Sequence, residues 1–330
     1  MRIQSRKILV SAISALLAAS LLLPVRVSAG TLSTDIIAMF PKDVGEYAYA
    51  DLKSARQLPW FPQLRDQMLP GRFKQFEQFL ASAGIDPNTQ VDELAWGTVS
   101  PTKDTGEQIV GVALGTFDPS SAEARFKQQK LPMLDVRGFK LYAFGSGAGP
   151  NDIFFFFLDS NTAAFGMRSV LEKMIDVRFG GSESLLQNDK LFPLISEANG
   201  QGTIWAVLNQ KYSRLAMEQL LPQANQFPQA AQLLSRISAM VINIQASSGV
   251  DAKFQAVCGS TDDANTLAAL LQAGVMYRRY QEAQANPDLA RALDEVSVVP
   301  HGDRLEVRIP VSEDQMGALL RNRTFAVPIS

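Results

Sequence analysis

The sequence predicts an α+β protein of two related units, each a mainly antiparallel sheet with helices packed on it. Three observations carry that expectation. The run Asp152-Ile153-Phe154-Phe155-Phe156-Phe157-Leu158-Asp159 leads through Ser160-Asn161 into Thr162 to Gly166, which reads as a strand with both faces covered turning into its hairpin partner. Both halves of the chain follow one order: strand, two helices, hairpin, helix, hairpin, helix. Finally, Gln67-Met68-Leu69-Pro70 and Gln219-Leu220-Leu221-Pro222 stand at the same place in each half, 152 positions apart.

In chain order, a targeting segment comes first. Arg2, Arg6 and Lys7 precede an apolar run from Ile8 to Leu23, then Pro24 and the small-residue site Val27-Ser28-Ala29, the pattern of a signal peptide cleaved after Ala29. An uncleaved anchor is the competing reading. The run is shorter than the ~20 residues a spanning helix needs, and serines 11, 14 and 20 interrupt it. The expected divisions are residues 1–29 as signal, 30–181 as first unit and 182–330 as second, with a connecting helix within 182–202.

In the first unit, Glu46 to Leu52 alternates aromatic and small residues in the manner of a strand. A short helix over Ser54 to Met68 is expected to break at Pro59 and Pro62. A second, Gly71 to Ala83, carries Phe73, Phe76, Phe79 and Leu80 at helical spacing and ends at Gly84. Leu94 to Ser100 and Ile109 to Thr116 form a hairpin, and Asp118-Pro119-Ser120 opens a helix reaching about Lys130. Phe139 to Phe144 then leads through the loop Gly145 to Pro150 to the phenylalanine strand. A helix from Arg168 to about Phe179 closes the unit at Gly180-Gly181.

In the second unit, Thr203 to Leu208 is a strand, followed by helices over Gln210 to Leu221 and Gln223 to Ile237. Ala239 to Gln245 pairs with Ala252 to Gly259, and Ser260-Thr261-Asp262-Asp263 caps the longest helix, to about Ala285. Val296 to Val299 and Leu305 to Val311 flank the turn Pro300-His301-Gly302-Asp303, and Ser312 with Gln315 boxes the last helix.

With 46% hydrophobic and 19% charged residues in 330, the chain has the composition of a folded protein long enough for a sizeable core. Loss of the targeting segment removes four basic residues and no acid, taking the formal charge from −2 to −6. Such a surface argues against nucleic acid as a partner, and membrane contact is expected only through the targeting segment before cleavage.

Several chemistries are excluded or weak. His301 is the single histidine, so a two-histidine metal site cannot be assembled, and it lies in a hairpin-turn sequence. No Gly-x-Ser-x-Gly elbow is present. The Gly145-x-Gly147-x-Gly149 loop lacks a P-loop lysine and precedes a strand instead of a helix. Cys258, the single cysteine, rules out an internal disulfide and a lipidated cysteine behind the signal; it falls in phase with Phe254 and Ala256, as a small buried side chain would. The acid pairs Asp92-Glu93, Asp262-Asp263, Asp294-Glu295 and Glu313-Asp314 stand mostly at element boundaries, where capping explains them. No cofactor and no catalytic residue is assigned. Tyr277-Arg278-Arg279-Tyr280 reads as a solvated helix face. Trp60-Phe61 between prolines, with the Phe73, Phe76, Phe79 stripe, is the remaining candidate for an apolar groove or partner surface, against core packing as the ordinary alternative.

Met39-Phe40-Pro41-Lys42-Asp43, Gly84-Ile85-Asp86-Pro87 and Gly202-Thr203-Ile204-Trp205-Ala206-Val207, with the export signal, resemble hypothetical secreted bacterial proteins of unknown function built from two tandem α+β units. The resemblance implies that fold and brings no catalytic residues with it. The expected function is therefore an exported, non-enzymatic binding or envelope-interaction protein, its partner a protein or an apolar small molecule. A carboxylate-based hydrolase and a carrier of lipid-like ligands are the alternatives.

Overall fold

All the named strands join one sheet. The computed structural model describes residues 30–68, 71–99, 107–149, 152–220, 232 and 234–322. The expected targeting segment lies outside them, as do parts of both copies of the repeated motif and most of the helix expected over Gln223 to Ile237.

The first stretch contains α1 (Thr34–Ala38), β1 (Val44–Asp51), α2 (Leu52–Ala55), α3 (Phe61–Met68), α4 (Gly71–Ser82), α5 (Pro87–Gln90), β2 (Val91–Val99), β3 (Gln108–Gly115), α6 (Pro119–Gln128), β4 (Met133–Val136), β5 (Phe139–Phe144), β6 (Ile153–Phe157), β7 (Thr162–Met167) and α7 (Arg168–Arg178). A 3-10 turn (Leu185–Gln187) and α8 (Phe192–Ala198) lead into β8 (Ile204–Asn209), α9 (Gln210–Leu220), β9 (Ile237–Ala246), β10 (Val250–Cys258), α10 (Thr261–Ala285), α11 (Pro287–Asp294), β11 (Ser297–His301), β12 (Arg304–Val311) and α12 (Glu313–Arg321). The sheet order is β11-β12-β10-β9-β8-β1-β2-β3-β7-β6-β5-β4, every neighbouring pair antiparallel.

The architecture is mixed α+β, as the sequence predicts, but the two stretches build one twelve-stranded sheet. The joint is β1 against β8, with Tyr49 opposite Trp205 and Ala48 opposite Ala206. Counted outward from β1 the order is β2, β3, β7, β6; counted outward from β8 it is β9, β10, β12, β11. Each arm thus uses the same succession of connections, and β5 and β4 extend the first.

Local chemistry sets the element ends. Asp118 accepts from the Ser121 amide at the start of α6 with Pro119 in its first turn, Ser260 accepts from the Asp263 amide at the start of α10, and Ser312 with Gln315 forms the capping box of α12. Pro59 separates α2 from α3, but Pro62 does not break a helix. It sits in the first turn of α3, where its missing N–H has no intrahelical acceptor to lose. The four-residue strand β4 is absent from the sequence reading, being too short to show an alternation.

The first face of the sheet carries the largest core. Tyr47, Tyr49, Val110, Val112, Trp205, Val207 and Val241 are essentially fully buried there under Ile37 of α1, Val170, Leu171, Met174 and Ile175 of α7, and Ile195 and Ala198 of α8. Burying a side chain of this size contributes about 1.5–3 kcal/mol. Trp205 stacks on Tyr49 with ring centroids 5.5 Å apart and leans on Tyr47 at 5.7 Å. The phenylalanine strand meets its expectation of two-sided cover: Phe154 and Phe156 join this core, while Phe155 packs on the opposite side against Phe76 and Phe79 of α4, Phe126 of α6 and Tyr142. At the other end of the sheet the first face is polar, with Arg308 donating to Asp251 and Gln255 to Glu306.

Candidate functional site

The central strands are unevenly covered on their two faces. One cross-strand row of the second face, read from the pairing register, runs Tyr142, Phe155, Phe165, Gly111, Trp96, Ala48, Ala206, Ile242, Phe254, Val307. Its neighbour runs Leu94, Ala50, Ile204, Ile244, Ala252, Ile309. At its first-stretch end the row is buried beneath α4 and α6. In the middle, Trp96, Ile204, Ala206, Ile242, Ile244 and Phe254 are only half-buried, although Tyr49, Trp205 and Val241 on the first face of β1, β8 and β9 are 0% exposed.

The cause lies in side-chain size. On β1 and β8 the first face takes Tyr47, Tyr49, Trp205 and Val207, whereas the second takes Ala48, Ala50 and Ala206. Along β1 two-residue alternation places the aromatic bulk on the first face, while on β8 the second face carries Ile204 and Leu208 on either side of Ala206. On one flank the Phe165 ring lies over Gly111 and fills the space the glycine leaves, since a Cβ there would stand 2.3 Å from the ring. The result is a shallow apolar trough across β2, β1, β8, β9 and β10, about 19 Å wide at the usual strand spacing, whose partly exposed surface belongs to Trp96, Ile204, Ala206, Ile242, Ile244 and Phe254, while Ala48 and Ala50 beneath are 1% and 6% exposed.

Three sets of side chains bound it. On one side Tyr212 and Met217 of α9 and Leu267, Ala268 and Leu271 of α10 cover Leu208, Met240 and Ala256, and Ala206, Ile242 and Phe254 pack against the edge of the same cluster. Along the strands, beyond Ile244, Ala246 enters a cluster with Trp60, Met316 and Leu320, flanked by Phe61, Leu64 and Val250. At the opposite end stands Glu46, between Thr98 and Leu208 in register; its Oε2 accepts from Thr98 Oγ1 at 3.1 Å. Burial pushes the Glu46 carboxyl above its ordinary range, the Thr98 bond opposes that, and the nearby Glu107 adds to it. Glu107 faces Lys211 Nζ at 3.9 Å.

Trp60 and Phe61, the sequence candidates for an interaction surface, stand at the closed end of this trough. Trp60 is 8% exposed, and its Nε1 donates to the Ser248 carbonyl at 3.0 Å, pinning α3 to the β9–β10 turn. Its ring is used inside the molecule; Phe61 is half-buried beside it. Of the phenylalanine stripe, Phe76 and Phe79 are core, and the side chain of Phe73 lies outside the described residues. Sequence reasoning missed Trp96, Ile242, Phe254 and Glu46. The alternation of large and small residues in Glu46-Tyr47-Ala48-Tyr49-Ala50 was the available signal.

Other candidates are used structurally. His301 is exposed at its turn. In the glycine loop Ser146 Oγ and the Gly149 amide both donate to Asp152, at 2.9 Å each, so a carboxylate of the chain takes the donors that a phosphate cradle would offer. Cys258 is buried, and desolvation, with Asp263 and Asp303 nearby, pushes its thiol up to about 11. Asp92 pairs with Arg56 and Lys53, Asp263 with Arg236 and Asp294 with Arg279. Met276, Tyr277 and Tyr280 are exposed on the outer half of α10, where Arg278 pairs with Glu282. Glu93, which accepts from the Tyr49 hydroxyl at 3.0 Å, is also raised by burial. It projects to the first face and Glu46 to the second, so these two carboxyls cannot flank one bond of a substrate. Among the described residues no group of three or more His, Cys, Asp or Glu side chains is placed to hold a metal ion, and no helix is long and apolar enough to cross a membrane.

No protein-family model matches the chain, and no curated protein sequence matches it. Solved structures do. TP0453 in crystal form I superposes with a TM-score of 0.52 at 10% identity, over 89% of this chain and 99% of that one. Crystal form III gives the same score and identity over 88% and 99%. At that identity the likeness is one of fold alone: a mixed α+β architecture similar to that of TP0453 over most of the chain.

Proposed function

We propose that this chain is an exported, non-enzymatic binding protein whose ligand is an apolar small molecule seated in the trough on the second face of the sheet. One observation carries the reading. Apolar side chains in the middle of the sheet, Trp96, Ile204 and Ile242, are only partly buried, although Ala95, Trp205 and Val241 beside them on the opposite face of the same strands are 0–1% exposed. Concave, mostly apolar surface with a few polar groups is the usual form of a small-molecule site, and leaving such surface in water forgoes about 25 cal/mol per Å² of stabilisation. The N-terminal basic, apolar and small-residue pattern supports export. The matching order of strands in the two arms supports descent from two tandem units meeting at β1 and β8, with the trough over their joint.

The test is a titration of the purified protein with an apolar naphthylamine dye whose emission rises on leaving water, alongside Trp96→Ser and Phe254→Ser variants. Saturable binding that either substitution weakens about tenfold supports the reading. Absence of saturable binding, or binding indifferent to both substitutions, overturns it.

A further inference from the structure

The outward face of α10 holds large apolar side chains in water. Of its 25 residues, Ala264, Leu267, Ala268 and Leu271 are buried toward the sheet. At about 100° per residue, the opposite side of the helix carries Thr266, Ala269, Ala273, Met276, Tyr280 and Ala283, all of them exposed. Met276 is 69% and Tyr280 82% open to solvent, and Tyr277, at 54%, flanks the line. A surface helix ordinarily turns charge outward, yet from Ala269 to Gln284 this arc has none over about four turns. Arg278 and Arg279 lie off it, paired with Glu282 and with Asp294 of α11. A single exposed apolar residue needs no explanation, whereas a contiguous uncharged strip with three large side chains marks a contact surface.

The spacing of the strip fits one occupant, an identical helix. Its six positions follow one another at alternate intervals of three and four, the repeat of two helices packed along a seam. Set antiparallel to a copy of itself, with a two-fold axis at the level of Gly274 and Val275, the helix gives every seam position a counterpart. Thr266 faces Ala283 of the copy, Ala269 faces Tyr280, and Ala273 faces Met276. In the central layers a small side chain thus meets a large one, which lets the two backbones close up without clash or void. Beside the seam Leu270 meets Tyr277, and Gln272 meets Arg279, whose charge Asp294 already balances; no like charges are opposed. We infer that this face of α10 docks a second copy of the chain as an isologous, antiparallel helix pair. The inference is independent of the trough. From Thr266 to Ala283 the seam is about 26 Å long, a small interface, and an affinity of about 1–100 µM is expected of it.

Sedimentation equilibrium of the purified chain between about 1 and 200 µM tests it. A monomer–dimer equilibrium is expected, weakened at least about thirtyfold by Tyr280→Glu, which removes an anchor, and by Ala269→Trp, which fills the space that anchor enters. Both positions are exposed in the single chain, and far-UV circular dichroism confirms that the variants are folded. The register is read by disulfide formation under mild oxidation, the native Cys258 being buried. A Thr266→Cys chain should cross-link to an Ala283→Cys chain, and neither to itself. A chain that stays monomeric throughout, or a dimer indifferent to both Tyr280→Glu and Ala269→Trp, overturns the proposal. Self-linking of each cysteine variant overturns the antiparallel pairing. A monomer that instead sediments with phosphatidylglycerol vesicles, and no longer does so as Tyr280→Glu, assigns the face to a lipid surface and overturns the second copy as its occupant.

Discussion

Truncating two aromatic residues of one cross-strand row tests whether the trough is exposed or merely a thin part of the core. Phe155 and Trp96 lie in that row on the second face, separated by Phe165 and Gly111. Phe155 is 4% exposed and meets four other rings, Phe126 at 5.2 Å, Phe76 at 5.8 Å, Phe79 at 6.0 Å and Tyr142 at 6.1 Å. Phe155→Ala removes a fully packed ring from between a sheet and two helices that cannot collapse onto the gap, and the expected loss is about 4 kcal/mol. Trp96 is the larger side chain but is half-buried, so Trp96→Ala forfeits only part of its transfer energy and leaves no closed cavity; about 1–1.5 kcal/mol is expected. Urea unfolding followed by far-UV circular dichroism reads the difference. With a slope of about 3 kcal/mol per molar, the midpoint falls by about 1.3 M for Phe155→Ala and by less than about 0.5 M for Trp96→Ala. Equal shifts, or a larger one for Trp96, would mean that the indole is packed as tightly as the phenyl ring, and the argument for an open trough would be refuted.

Other expectations follow from individual contacts. Trp60→Phe keeps the ring in its cluster but removes the donor to Ser248. It should cost about 1 kcal/mol and raise amide hydrogen exchange in α3 before that of the β1–β8 joint; uniform exchange would show that Trp60 pins nothing locally. The raised Cys258 thiol, at about 11, binds its proton more tightly folded than unfolded. Stability is thus unaffected below about pH 8.5 and falls as pH rises toward 11. Thiol labelling at pH 8 should be about a hundredfold or more slower in the native protein than in urea, and similar rates would show the sulfur to be accessible. For Glu46 the folded-state value is raised above the unfolded one, so its ionisation opposes folding once pH exceeds the ordinary carboxylate range. Glu46→Gln should raise the melting temperature at pH 7 and lose that gain below about pH 4; a lower melting temperature at pH 7 would contradict the burial argument.

The sequence made some features plain and hid others for identifiable reasons. Two-residue alternation exposed the phenylalanine strand and its need for cover on both sides, and caps at Asp118, Ser260 and Ser312 marked helix starts because a short polar side chain there has one geometric use. Neighbours in a sheet are another matter. Tyr47, Tyr49 and Trp205 declare a buried face, but nothing in an apolar face names the strand beside it, so the β1–β8 joint and the single sheet were not legible. Trp60 drew notice through the prolines around it, and burial in a small cluster is the ordinary end of such a residue. The alanines on the second face of β1 were overlooked because small residues in strands attract little attention, although their regular alternation with Tyr47 and Tyr49 marks which face carries the bulk.

The joint between β1 and β8 also bears on how the chain is made. Tyr49 meets Trp205 only after more than 150 further residues have been synthesised, and contacts that close such long loops form slowly. Until then β1 presents unpaired backbone along one side and two bare tyrosines on a face destined for complete burial, which is the kind of edge that recruits other chains. A nascent polypeptide therefore carries an adhesive border while about 150 further residues are made. Only when the tryptophan strand arrives is that border closed.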